Sequence, residues 1–391
     1  MQLHLGTQIG NAVETIRANG PAMLADAAST KNLRVLATLL GPAYRGLIRK
    51  LAKGADGTEM PLDHSAFFDW RYTREFPEIT RLYEAAKSSQ WNATVDIDWS
   101  RPVDPYDTGH PLLPDSFHPA STLPVWRRMT AGERAAQRHD LLAWFLSQFL
   151  HGEQGALFAA AQVTESVPWL DAKLFGSTQV VDEGRHVEVF HAYLTQKLER
   201  IFDINDNLYV VIDALMTDSR WDVKFLGMQI MIEGLALGAF GTIRKLTADP
   251  TLRDILKFVI TDEARHVHYG VLSLERFYLS ELTERERRDR EDLAFELSIL
   301  LRNRFLMHEI YDEHFGHALS RTAWDRIILE SDLMAFYRES MFRRIVPNLK
   351  RSGLLSDRIR PRYAELGLLR WESEKSAPDL TAADLLDEKK A

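Results

Sequence analysis

The sequence predicts an all-α protein, a core of four helices with additional helices before and after it. Two observations predict this. Glu153 is followed by Glu183-x-x-His186 and Glu233 by Glu263-x-x-His266, at the same 30-residue interval each time. That is one helix pair written twice. No stretch of the 391 residues reads as a convincing strand.

Each element follows in order. Residues 1 to about 55 read as helical, with a basic amphipathic run through Lys31, Arg34, Arg45, Arg49, Lys50 and Lys53. Such a run is a solvated helix face or a docking surface for an acidic partner. Residues 56–129 mix helix with loop, and Pro102, Pro105, Pro111, Pro114, Pro119 and Pro124 make 101–124 extended and irregular. Residues 1–129 are therefore an arm ahead of the bundle, which occupies 130–282. Thr130-x-x-Glu133 is a capping box that starts the helix carrying Glu153. A second helix, opened by Pro168 in its first turn, carries Glu183 and His186 to about Arg200. The turn Phe202–Asn207 and a crossing helical segment separate the halves. A third helix runs from about Ser219 to Leu246 with Glu233, and Ala248-Asp-Pro250 ends it. The fourth carries Glu263 and His266 to about Leu282. Residues 283–371 continue as charged helices, and 372–391 read as a disordered tail.

A Glu and a His three apart share one helix face, about 300° of rotation and one turn apart. Four such helices facing inward bring four carboxylates and two imidazoles to one point. That is the ligand set by which a bundle holds two iron or manganese ions. The apolar setting of these residues carries the inference. From Phe225 to Ile243 the only charged residue is Glu233. Glu153 is flanked one turn away by Phe149, Leu150, Ala156 and Leu157, and Glu263 by Val259, Ile260, His266 and Val267. Buried carboxylates are costly unless paired or metal-bound. Four converging without metal would force some to protonate, whereas two divalent ions neutralise all four. A further Glu-x-x-His, Glu188–His191, lies roughly 140° around the helix and faces away. The 19 residues from Phe225 to Ile243 are long enough to span a membrane. Glu233 at the centre, and the polarity of the three equivalent helices, make this a core helix instead.

Each Glu-x-x-His sits in one frame, Asp182-Glu-Gly-Arg-His186 and Asp262-Glu-Ala-Arg-His266. This pattern resembles the ferritin-like di-iron carboxylate superfamily over about residues 130–282. Members include ribonucleotide reductase small subunits, multicomponent monooxygenase hydroxylases, acyl-carrier-protein desaturases and benzoyl-CoA epoxidase. Leu82–Trp99 also resembles the segment before the bundle in several of them. The resemblance implies a ferritin-like four-helix bundle with two iron ions, manganese being able to take one or both positions. Glu153, Glu183, His186, Glu233, Glu263 and His266 would be the ligands. Asp262 would orient His186, and Asp182 would orient His266, with Arg185 and Arg265 neutralising the aspartates. A carboxylate on the far ring nitrogen fixes the tautomer and aim of the ligating one. Three departures stand out. Reductase small subunits commonly carry a radical-forming Tyr four residues after the first His, where this chain has Phe190. Hydroxylases and desaturases carry a Thr one turn after the third ligand, where Ala236 and Leu237 stand. Related N-oxygenases add a His where Val259 stands, and His268 is about 200° from His266, outside the site.

The expected function is a non-heme di-iron oxidoreductase of the monooxygenase type. It would activate dioxygen to hydroxylate, epoxidise or N-oxygenate an apolar or aromatic organic substrate. Ala156, Ala160, Val187, Phe190, Ala236, Leu237 and Phe240 are the expected pocket lining. The alternatives are a reductase-type radical generator and an iron storage or detoxification protein. A net charge of −8 argues against a nucleic-acid surface. The absence of Cys excludes disulfides, Cys-ligated zinc and Cys-ligated iron–sulfur clusters. With no Gly-x-Gly-x-x-Gly or Walker-type loop, electrons are expected from an external reductase or ferredoxin. The N-terminus carries no secretory pattern, so the expected location is cytoplasmic and the expected assembly a homodimer.

Overall fold

A computed structural model describes residues 29–386, and no strand occurs among them. The expected four-helix core is present. The first helix of the arm, α1 (Leu33–Ala43), continues into a π turn at Tyr44–Ile48, and α2 (Pro77–Ser88) follows after a long loop. α3 (Ala131–Ser166) is the longest helix described. Its capping box is formed: the Thr130 hydroxyl accepts from the Glu133 amide at 3.2 Å, and the Glu133 carboxylate accepts from the Thr130 amide at 2.6 Å. α4 (Leu170–Tyr193) packs antiparallel along α3. It starts two residues after Pro168, which therefore lies outside the first turn, with Trp169 as the N-cap. α4 ends in a π turn, Leu194–Leu198, and Glu199 reverses the chain in the left-handed region at φ 53°.

α5 (Asp206–Thr217) crosses to the second half. There α6 (Trp221–Phe225), a π segment (Leu226–Ile232) and α7 (Glu233–Leu246) form one continuous helical rod. α8 (Pro250–Ser280) completes the core; Asp249 caps it by accepting from the amides of Thr251 and Leu252 at 3.0 and 3.1 Å. The rod Trp221–Leu246 has the length and hydropathy of a membrane span, and 78% of its most apolar window is buried inside the protein. Its apolarity is spent on the bundle core.

α9 (Glu284–Arg304), α10 (His308–His314), α11 (Arg321–Glu330) and α12 (Asp332–Arg351) wrap the second half. α12 lies against α7 so closely that a Cβ on Gly238 would stand 2.7 Å from the Met341 Cα. Only glycine fits there.

Two expectations are corrected. The basic run is neither a bare solvated face nor a docking surface. Arg34 pairs with Asp289 at 2.9 Å, Arg45 with Asp213 at 2.6 Å and Lys53 with Glu309 at 3.0 Å, and Lys50 pairs with Asp206. Buried Glu309 also accepts from Trp144 Nε1 at 3.1 Å and Asn205 Nδ2 at 3.1 Å. The run ties the arm to the core. The expected disordered tail is also wrong for most of its length. Leu385 and Leu386 are buried, the Ala377 amide donates to Asn348 Oδ1 at 2.8 Å, and Arg351 pairs with Asp379 at 3.1 Å. Buried Ala377, Leu385 and Leu386, with ion pairs to Glu372, Glu374 and Asp379, dock a polar segment that composition alone marks as solvated. Residues 1–28 and 387–391, parts of the expected arm and tail, lie outside the described residues.

Candidate metal centre

The four core helices bring Glu153 from α3, Glu183 and His186 from α4, Glu233 from α7, and Glu263 and His266 from α8 to one buried point. His186 Nδ1 lies 3.4 Å from Glu153 Oε2, 3.3 Å from Glu183 Oε2 and 3.1 Å from Glu263 Oε1. His266 Nδ1 lies 3.1 Å from Glu183 Oε1 and 3.4 Å from Glu263 Oε2. Two overlapping donor groups result: Glu153, Glu183, His186 and Glu263, then Glu183, Glu233, Glu263 and His266. In each, one ligand atom per residue lies within 4.8 Å of the others. Glu183 and Glu263 belong to both groups, and each offers one oxygen to each side.

The donor set fits a pair of cations. Glu183 Oε2, Glu233 Oε2, both Glu263 oxygens and both histidine Nδ1 atoms are buried with no hydrogen-bond partner. Orphaned buried acceptors are rare in folded proteins, and six converging on one point need an occupant. Their titration agrees. Burial, reinforced by the neighbouring Glu263 carboxylate, raises Glu153 and Glu233 well above the ordinary carboxylate range. Glu183 is held low because the imidazoles beside it outweigh the burial that would raise it. His186 and His266 are raised against their own burial by the carboxylates around them. Protons on the raised groups partly offset the buried negative charge, a task two divalent ions would take over.

Behind the ligands stands the expected crossed pair. His186 Nε2 is 3.2 Å from Asp262 Oδ2, and His266 Nε2 is 3.1 Å from Asp182 Oδ2. Each aspartate belongs to the other half, so each Nδ1 is turned inward by a carboxylate from across the bundle. Arg185 bonds Asp182 within its own frame and reaches Asp262 at 3.4 Å; Arg265 bonds Asp262 and reaches Asp182 at 3.7 Å. Glu188 and His191 are exposed, as their angle on α4 requires.

Four further residues were not singled out in the sequence. Trp91 Nε1 donates to Asp262 Oδ2 at 2.7 Å, under the Arg185 guanidinium 5.1 Å from its ring centroid. Gln90 donates to Asp182 Oδ1 at 3.3 Å and accepts from Arg185. Both lie in Leu82–Trp99, the segment whose resemblance to oxidative enzymes was the available signal. Gln179 and Gln229 are fully buried, each four residues before a ligand Glu. That offset was the signal for them.

The cavity differs from the expected one. A void of about 20 Å³ touches Glu153, Glu233 and Glu263, and Ala156, Ala236 and Phe240 line it as expected. Ala160, Val187, Phe190 and Leu237 do not; Gln148, Phe149, Gly152, Ile232 and Arg304 take their place. Val187 is turned about 100° from His186 by the helix and is half-buried. Phe190 stands behind the wall, with its ring 5.8 Å from those of Phe149 and Phe240.

No family model and no curated protein matches this chain. Among solved structures it is similar to variants of an R2-like ligand-binding oxidase with a Mn/Fe cofactor. An aerobically reconstituted one is 20% identical with TM-score 0.46, covering 72% of this chain and 94% of that one. An anaerobically reconstituted one is 22% identical with TM-score 0.45 over the same shares. Likeness at this level leaves the chemistry to be argued from the residues themselves.

Proposed function

We propose that the protein is an oxygen-activating oxidoreductase whose centre is a pair of iron ions, or manganese and iron, held by Glu153, Glu183, His186, Glu233, Glu263 and His266. The observation that carries this is the convergence of six orphaned ligand atoms whose histidines are aimed from behind by Asp182 and Asp262. Two such ions, when bound, supply the reduction of dioxygen and the oxidation of an organic substrate. The chain's own residues do the rest. Glu183 and Glu263, members of both donor groups, would be shared by the two positions. Asp182 and Asp262 keep protons on the outward Nε2 atoms, leaving Nδ1 free to ligate. Arg185 and Arg265 balance those aspartates.

The substrate we assign is apolar or aromatic, hydroxylated, epoxidised or N-oxygenated beside the Phe149–Phe240 wall. As it stands the void holds about one water, so an organic substrate enters by displacing side chains of that wall. Electrons come from a separate reductase or ferredoxin, and the assembly we assign is a homodimer in the cytoplasm.

A reductase-like radical generator is the second reading. Buried Tyr193 donates to Asp249 Oδ2 at 2.6 Å, which provides a proton acceptor beside an oxidisable phenol. Anaerobic titration with ferrous iron tests the centre itself: the expected stoichiometry is two ions per chain, and one or none would overturn it. Product analysis after oxygen exposure with aromatic and aliphatic candidates then separates oxygenase from radical generator.

A further inference from the structure

The two metal positions are backed by different chemistry. Gln179 Nε2 donates to Glu183 Oε1 at 3.1 Å and to Glu233 Oε1 at 3.0 Å. Its own Oε1 accepts from Gln229 Nε2 at 3.4 Å. The amide is oriented by Glu183: flipped, its carbonyl oxygen would face the ionised Glu183 carboxylate with no proton between them. Both oxygens it holds belong to one side. Glu183 Oε1 is the oxygen that faces His266, and Glu233 belongs only to the His266 group. Glu233 Oε2 is left without a partner.

The duplication places counterparts 80 residues apart, so the other side can be compared residue by residue. Opposite Gln179 stands Val259, and opposite Gln229 stands Phe149. Both are buried. The His186–Glu153 position is therefore backed by apolar side chains, whereas the His266–Glu233 position is backed by two linked amides; the void touches Glu153, Glu233 and Glu263 and so borders both positions. Room for the second amide comes from α8, where a Cβ on Gly270 would lie 2.7 Å from the Gln229 Cβ.

We propose that Gln179 is a positioning residue that makes the two metal positions inequivalent. It holds one oxygen of Glu183 and one of Glu233, so that at the His266 position Glu233 Oε2 is the oxygen that would be left to take a metal. The His186 position has no such amide hold on Glu153. The proposal rests on the dinuclear reading above.

Gln179→Val matches the two sides at this position, where the other carries Val259, and Gln179→Met keeps the volume without the N–H groups. Calorimetric titration of the full chain with ferrous iron, with Mössbauer spectra of the loaded protein, reads the outcome. The wild type is expected to bind in two resolved steps with two quadrupole doublets. Both variants are expected to lose about tenfold in the affinity of one step, the usual scale for losing a group behind a ligand. The other step should move less than about threefold, and the two doublets should converge. Val259→Gln is expected to strengthen the step that the first variants leave alone. Equal weakening of both steps, or unchanged doublets in a variant that melts like the wild type, would overturn the clamp. A wild type that binds a single ion would overturn the dinuclear reading and the clamp with it.

Discussion

The two halves of the core carry the same five-residue signature, a Glu and then Asp-Glu-x-Arg-His, and differ in much of what surrounds it. In the first half, α3 passes Glu153 as a regular helix, with Phe149 one turn earlier. In the second, the rod is wound as a π segment up to Ile232, with Gln229 one turn before Glu233. π turns inside helices are uncommon and concentrate at functional sites, because they re-aim the side chains that follow. Past the histidines the contrast reverses: Phe190 and Tyr193 follow His186, whereas Gly270 and Ser273 follow His266. The candidate ligands are duplicated, and their surroundings have diverged into one apolar end and one amide-lined end, with the void bordering both.

The largest effect that probes this comparison is loss of a ligand. Glu183→Ala or Glu263→Ala removes a carboxylate from both positions, and Glu153→Ala or Glu233→Ala from one. All four are expected to abolish the two-ion stoichiometry while circular dichroism stays helical. The shared pair should bind least. If Glu153→Ala and Glu183→Ala retained the same residual iron, the assignment of shared and terminal carboxylates would be wrong.

Next come the crossed aspartates. Asp182→Ala and Asp262→Ala are each expected to cost on the order of 10- to 100-fold in metal affinity. Asp262→Ala should sit at the upper end, because it also strands the Trp91 indole N–H. Unchanged iron binding in both would reduce these aspartates to surface partners of the arginines.

Tyr193 sharpens the comparison from the other side, since its phenol donates to a carboxylate, that of Asp249, whereas Tyr269, three residues after His266, donates to the Ala172 carbonyl. Phe190 occupies the nearer position and has no phenolic proton to lose. Oxygen added to the reduced, iron-loaded protein is expected to leave no long-lived tyrosyl signal in electron paramagnetic resonance. A persistent signal that disappears in Tyr193→Phe would promote the radical generator over the oxygenase.

The smallest effect concerns packing. Gly238 on α7 faces the α12 backbone, while its counterpart on α3, Phe158, is 53% exposed. Gly238→Ala is expected to destabilise by about 1–3 kcal/mol through overpacking, and Phe158→Ala by less than about 0.5 kcal/mol, both read by denaturant melts. A Phe158→Ala loss comparable to that of Gly238→Ala would mean that α3 is covered by something in solution.

What the sequence made legible was the part with strong internal spacing. The six ligands, both aspartates and the capping box at Thr130 are local patterns whose partners are implied by the repeat. Gln179 was not legible, because a neutral amide in a helix is unremarkable until a carboxylate from another helix arrives beside it. The pocket was half-legible for a similar reason. Ala156, Ala236 and Phe240 follow from helix angle alone, whereas Gln148 and Arg304 depend on how α3 and α9 meet the void. The basic run misled because its acidic partners, Asp213, Asp289 and Glu309, lie more than 150 residues away in the chain. The tail misled because a mostly polar segment can be docked by a few residues.

Glu309 has one more consequence. Its carboxylate takes a lysine from the arm, an indole from α3 and an amide from the loop before α5, while its own backbone sits in α10. Four stretches distant in the chain thus share a single buried charge, and removing any one leaves that charge short of a partner. Trimming the protein to residues 130–282 would keep every metal ligand and still cut this knot. A fragment that keeps this charge partnered must therefore reach at least from Lys53 to Glu309, and protease nicking within the arm should release the bundle's stability in one step rather than shave it from the end.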